Sequence, residues 1–191
     1  MSAEPTGQGG PADPGPSSWL VAVTLIAFTA TLVTGYAVGG VGSRLSGDTG
    51  KSLVTLEFAG WCYSSDKVMR AWNDRGLIPT AIRAQKIDFL FAASYGAFAL
   101  AVAALVRRAR RGPRDGRVLA LLVALGFVGA VFDEIENVKM WAILHGGTHA
   151  DRFLPSIAAG LKFALITAAG IGILLALFWN DSERGRSLPP S

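Results

Sequence analysis

Cysteine is nearly missing from this 191-residue chain, which has only Cys62. A single thiol excludes an internal disulfide and any metal site built from several cysteines. Lys and Arg are missing from residues 1–18, which are rich in Pro and Gly. That removes the basic start of a secretory signal, and no small-x-small cleavage pattern follows the first apolar block. Residues 1–18 are therefore expected as a disordered tail ahead of a retained span, and 180–191 as a second disordered tail. Charge is also missing from long runs. Residues 19–41 carry none, 87–106 carry only Asp88, and 156–179 carry only Lys162.

Those runs decide the fold class. About 30 Å of hydrocarbon divided by a 1.5 Å rise requires roughly 20 mainly apolar residues. Four segments reach that length: 19–41, 87–106, 118–144 and 156–179. Lipid offers no partner to backbone polar groups, so each must be a helix. The expectation is an all-α integral membrane four-helix bundle spanning 19–179.

Net charge is +4, but the basic residues sit beside a span instead of over a soluble face, so nucleic acid is not an expected partner. Arg107, Arg108, Arg110, Arg111, Arg114 and Arg117 crowd the short connection between the second and third spans. Short basic loops stay in the cytoplasm. That orientation implies a multi-pass protein of the cell membrane with both termini cytoplasmic, and anionic lipids as partners of the arginine cluster.

Residues 42–86 are too long and too patterned for a bare loop. Ser64 and Ser65 can cap a short helix through Val68, Met69 and Trp72, with Gly76 as its stop. Pro79 suits the first turn of the next helix, which runs on into the second span. Leu53, Leu56, Phe58 and Trp61 suit the bilayer surface or the helix ends. A partly helical outer cap is expected. Gly160, Ala164, Ala168 and Gly172, and likewise Thr31, Gly35 and Gly39, recur every four residues, a spacing that lets helices pack closely or serves a homo-oligomer.

The third span carries Asp133, Glu134, Glu136 and Lys139 in its second half. At 100° per residue, Glu136, Asn137 and Met140 fall within about 60° of Asp133. Val131, Ile135, Val138 and Ala142 fall opposite, the pattern of a helix with one face inward and one in lipid. Glu134 lies at the margin, and Lys139 is close enough to Glu136 to pair. Asp88 and Tyr95 share a face of the second span, and Lys162 stands about two turns inside the fourth. All can meet in one outer-leaflet pocket, with acids in excess of lysines. Arg83 or Lys86 from the cap, or a ligand, can supply the missing positive charge.

Ionisable groups inside a membrane are functional candidates, because each costs about 2.5–3.5 kcal/mol at the centre of a span. The pattern suits a pocket that binds or processes an amphipathic lipid or another membrane-dissolved molecule. Asp133 and Glu136 would be its acid/base pair, with Asp88, Tyr95, Asn137, Lys162 and Glu134 as contacts for the bound molecule. Whether a reaction follows is left open. Alternatives are a proton-coupled transporter or channel subunit, and a scaffold whose charged cluster is structural. No cofactor or metal is expected: His145, His149 and Asp151 lie in a Gly-containing segment, and the zinc-protease pattern is absent.

Trp72 to Gly76, Asp88-Phe89-Leu90-Phe91 with Tyr95, and Phe132-Asp133-x-x-Glu136-Asn137 together resemble a family of small bacterial four-span membrane proteins, over about residues 50–180. The resemblance implies the architecture and brings no activity.

Overall fold

In the computed structural model the described residues are 18–59, 64–109, 115–146 and 153–184, with side chains for 18–59, 64–109, 116–146 and 154–175. The expectations for residues 1–17 and 185–191, for Trp61, Cys62, Arg110, Arg111 and Arg114, and for His149 and Asp151 fall outside them. The described residues form helices without a strand: α1 (Ser18–Thr49), α2 (Leu53–Glu57), α3 (Ser65–Asn73), α4 (Ile78–Ala109), α5 (Asp115–Leu144) and α6 (Phe153–Arg184). Segments of α1, α4, α5 and α6 are long and apolar enough to cross a bilayer, namely Ser18–Thr49, Ile78–Ala109, Gly116–Leu144 and Leu154–Leu175. The chain is a multi-pass, all-α membrane protein in contact with lipid.

The long helices pack in chain order, α1 on α4, α4 on α5 and α5 on α6. Each seam has its own means of close approach. Between α1 and α4, Gly35 lies under the Phe91 ring, the Thr34 and Ser94 hydroxyls meet at 3.2 Å, and Phe28 meets Phe98 at 5.3 Å. Between α4 and α5, Gly96 faces Ala130 and Gly126 faces Ala99. Between α5 and α6, Gly129 approaches the Lys162 carbonyl and Gly172 meets Leu122. The hydroxyls of Thr24 and Thr31 return to the carbonyls of Leu20 and Ala27, both at 2.8 Å, and so cost α1 little in lipid.

The expected four-residue stripes fit these seams only in part. Gly172 is buried, but Ala164 is exposed. Gly35 meets Phe91, whereas Gly39 has open space around it. A four-residue step turns 400°, so such a stripe drifts about 40° per repeat and leaves a straight seam. The residues of α6 that do face the bundle include Ala158, Ala159, Lys162 and Ala169.

On one side the helices run past the expected spans and meet the cap. Helix α1 continues beyond residue 41 and ends where Gly50 turns to φ 65°. Helix α4 starts at Ile78, with Pro79 in its first turn. Helix α2 opens on a capping box, in which Thr55 N donates to Ser52 Oγ at 3.2 Å and Ser52 N to Thr55 Oγ1 at 3.1 Å. Ser64 stands at the cap position of α3, but its hydroxyl reaches Asp66 instead of the backbone. Gly76, at φ 66°, stops α3 while Leu77 N donates to Trp72 O at 2.8 Å.

A core of Leu45, Leu53, Leu56, Val68, Trp72 and Met140 fills this end of the molecule. Trp72 is fully buried, and its indole N–H donates to Lys51 O at 3.0 Å. The cap is thus seated on the helix ends by an apolar core, not spread on the bilayer surface.

The seams predict a contrast between two glycines. A Cβ on Gly96 would come within 2.8 Å of the Ala130 Cβ, while one on Gly39 would meet nothing. Gly96→Val should therefore destabilise the protein by about 1–3 kcal/mol through overpacking. Gly39→Ala should leave it unchanged or stabilise it by about 0.5–1 kcal/mol, as alanine does in a helix. Thermal unfolding in detergent separates the two, and equal midpoints for both variants would contradict the packing described.

Candidate functional site: a buried carboxyl cluster around Lys162

Helix α6 turns Lys162 toward α5, and α5 answers with Asp133 and Glu136, one turn apart on its inward face. The Lys162 Nζ lies 2.8 Å from Asp133 Oδ1, 2.9 Å from Glu136 Oε2 and 3.3 Å from Glu57 Oε2. The third carboxylate comes from the cap. Glu57 is the last residue of α2, and its carbonyl accepts a hydrogen bond from the buried Ser156 hydroxyl at 2.8 Å. That bond and the capping box fix α2 over the ends of α5 and α6, with the Glu57 side chain directed at the ammonium.

Helix α4 contributes from the other side. The Tyr95 hydroxyl donates to Asp133 Oδ2 at 2.9 Å, so both oxygens of Asp133 are engaged. Gln85 Nε2 donates to Asn137 Oδ1 at 2.6 Å. Asp88 lies beside Asn137 and within electrostatic reach of Asp133, Glu57 and Lys162. Even so, Asn137 Nδ2 meets no acceptor in hydrogen-bonding geometry, and Gln85 Oε1 meets no donor. Glu136 is similar: the Lys162 ammonium is close to Oε2 but off the line of a hydrogen bond, and Oε1 has no partner.

The cluster is enclosed. Glu136 and Asn137 are fully buried, and Asp133, Glu57, Lys162 and Asp88 expose between 2% and 8% of their surface. With a 1.5 Å rise, Lys162, Glu136 and Asp133 sit roughly 12 to 16 Å inside the cap-side ends of their helices. The expected pocket open to the leaflet is closed here, because α2 and Glu57 cover it.

Six of the seven expected site residues come together: Asp88, Tyr95, Asp133, Glu136, Asn137 and Lys162. Glu134 does not join them around Lys162 and stands half-buried at the edge, as does Lys139 farther along α5. Glu136 is taken up by Lys162 across the helices. Arg83 and Lys86, expected as sources of positive charge, are exposed, and Lys86 lies over the Trp141 ring at 5.8 Å. The reason is helical phase: at 100° per residue, positions 83 and 86 point well over 100° away from Asp88. The cap brings a fourth acid where a cation was expected. His145 is exposed and lies tilted against Trp141 with ring centroids 4.3 Å apart, and its Nδ1 is 2.9 Å from the Trp141 carbonyl.

Glu57 and Gln85 were not singled out in the sequence. Glu57 had a legible signal, being the only charge between Lys51 and Asp66 in an otherwise apolar stretch. Gln85 had a weaker one, as a polar residue three positions before Asp88.

Among the described residues, Glu57, Asp133 and Glu136 thus share one buried ammonium, with Asp88 within electrostatic reach. An unpaired ion in such surroundings costs several kcal/mol, and one lysine offsets one carboxylate. The arrangement leaves negative charge among the described residues to be balanced, by protons or by a cationic group. For Glu57, outside the spans, burial is the largest influence and raises its carboxyl above the usual 4.5; Lys162 opposes this and Asp133 adds to it.

A raised value in the folded state means that the closed cap binds a proton more tightly than the unfolded chain does. Its contribution is complete below pH 4.5 and is lost as pH rises through the folded-state value. Glu57→Gln, which keeps the shape of the protonated acid, should therefore gain on the wild type in melting temperature as pH is raised. Thermal unfolding in detergent between about pH 4 and about pH 9 gives the comparison. Parallel curves for the two proteins would show that Glu57 does not hold a proton in the closed cap.

The chain matches no protein-family model, no curated protein and no solved structure, and its site is characterised by its own geometry.

Proposed function

We propose that this membrane protein binds the positively charged group of an amphipathic or membrane-dissolved molecule in the carboxyl cluster beneath its cap. One observation carries the reading: among the described residues, three enclosed carboxyl groups contact a single ammonium and a fourth, Asp88, lies within electrostatic reach of it. A network that only fixed helices would gain most from balanced charge, since each uncompensated buried ion works against folding. An incoming ammonium supplies what the cluster lacks.

The roles follow from the contacts. Asp133, held by Lys162 on one oxygen and Tyr95 on the other, is a fixed charge that keeps the cluster in register. Glu136 Oε1, without a partner, and Asp88 are the groups left to receive the ligand. The spare amide atoms of Asn137 and Gln85 orient its polar neighbours. A ligand that arrives protonated can pass its proton to Glu136, and no bond needs to be made or broken beyond that.

The arginine-rich connection between α4 and α5 favours the cytoplasmic side of a cell membrane. The cap and the cluster then belong to the outer leaflet, with both termini inside. An amphiphile would keep its chain in lipid while its head group enters beneath α2, whose Ser156 and Lys162 contacts must yield.

The test uses octylammonium, with octanol as an uncharged probe of equal chain length, and protein in nanodiscs. Octylammonium should raise the melting temperature and octanol should not. Asp88→Asn combined with Glu136→Gln should keep the fold and weaken octylammonium at least tenfold, or about 1.4 kcal/mol. Equal responses of wild type and double variant would remove the reading. Absence of any response in the wild type would leave the cluster a helix-fixing network.

A further inference from the structure

A second feature lies at the opposite end of the bundle from the cap, on the seam between α4 and α5. A cavity of about 580 Å³ opens there, floored by Ala103, Ala104, Ala120 and Ala124 and rimmed by Arg107 and Arg117. It exists because both helices present alanine at the same level, so no side chain is long enough to fill the seam. Neighbouring stretches of these helices differ, since Gly96 and Gly126 let the backbones close up on Ala130 and Ala99.

The two ends of this groove have opposite character. Its floor is methyl groups, and exposed Leu121 on its border marks the side that faces lipid. Its rim is two exposed guanidinium groups. In the sequence, the stretch from Arg107 to Arg117 also holds Arg108, Arg110, Arg111 and Arg114 against the single acid Asp115. The rim also stands at the start of α5, where the helix dipole favours an anion. From Arg117 to Ala124 the groove follows α5 for about 10 Å, far enough to take the upper part of an acyl chain.

We infer that this groove is a binding site for one anionic phospholipid of the same leaflet, its phosphate between Arg107 and Arg117 and an acyl chain along the alanine floor. Guanidinium forks suit phosphate oxygens. A free anion would use the rim but has no need of a methyl-lined floor. A second copy of the chain would bring a second arginine cluster against the first, and the two would repel. The inference does not depend on the carboxyl cluster or its ligand.

The experiment measures binding of phosphatidylglycerol and of phosphatidylcholine with matched chains to the purified full-length protein, by native mass spectrometry. Phosphatidylglycerol should bind the wild type roughly thirtyfold more tightly, the effect of two basic residues at a membrane surface. R107Q/R117Q should abolish that preference. Ala120→Phe, which fills the floor and keeps both charges, should weaken phosphatidylglycerol several-fold while leaving the lipid-free melting temperature within a few degrees. Wild-type affinity in the Ala120→Phe protein would reduce the site to surface charge and overturn the groove. Equal affinity of the wild type for both lipids would overturn the anionic choice. Displacement of the lipid by millimolar inorganic phosphate would assign the rim to a free anion instead.

Discussion

The Lys162 ammonium is the contact on which the arrangement of the other parts depends. It joins α6 to α5 through Asp133 and Glu136, and α5 to the cap through Glu57. Tyr95 extends the same network to α4. Inside lipid, helices gain nothing from hydrophobic association with each other, because the tails are as apolar as the side chains. A charged group that must find partners therefore sets register more sharply than apolar packing can. Slide α6 by one residue, and Lys162 turns about 100° out of the cluster toward hydrocarbon.

The two ends of the molecule are held by different forces, and the difference follows from what surrounds them. Burial of Leu45, Leu56, Val68 and Trp72 in the cap gains free energy only where the alternative is water. That core lies at the cap end of the bundle, around α2, α3 and the adjoining ends of α1, α4 and α5. Along the spans the seams rely on glycine and alanine, as at Gly96 and Ala130 or Gly172 and Leu122, where dispersion at short range replaces the hydrophobic effect. The carboxyl cluster sits at the junction of these regimes. It is roofed by a cap that water stabilises and walled by helices that lipid surrounds.

Much of this was legible in the sequence, because hydropathy and helical phase are local properties. The four long apolar runs located the candidate spans, and the sorting of Asp133, Glu136 and Asn137 away from Val131, Ile135 and Val138 located the inward face of α5. What was not legible depended on how elements meet. Leu53, Leu56 and Phe58 suggest the bilayer surface or the helix ends, and only the fold decides for the helix ends and turns Glu57 inward. Its partner, Lys162, lies more than a hundred residues along the chain. Arg83 and Lys86 were plausible cations by proximity in sequence, yet the phase of α4 turns them away from Asp88. The small-residue stripe on α6 was a true repeat whose period differs slightly from the helix, so only one end stays on a seam.

The cap is attached by contacts of two kinds, and this bears on how a closed cluster can exchange anything. The Trp72 core and the Ser156 bond to the Glu57 carbonyl do not depend on charge, since one is apolar and the other uses backbone. The Glu57 carboxylate does depend on it: burial and Asp133 work against its ionised form, and Lys162 works for it. A change in the cluster's charge therefore acts on the tip of α2 while the rest of the cap stays seated. Local opening costs less than global unfolding and suits elements with few buried contacts. In helix α2, Leu53 and Leu56 are held in the apolar core, so an opening driven by charge is confined to its last residue, Glu57. Charge balance in the cluster and access to it are thus coupled through one side chain, and the acid that completes the site is also its cover.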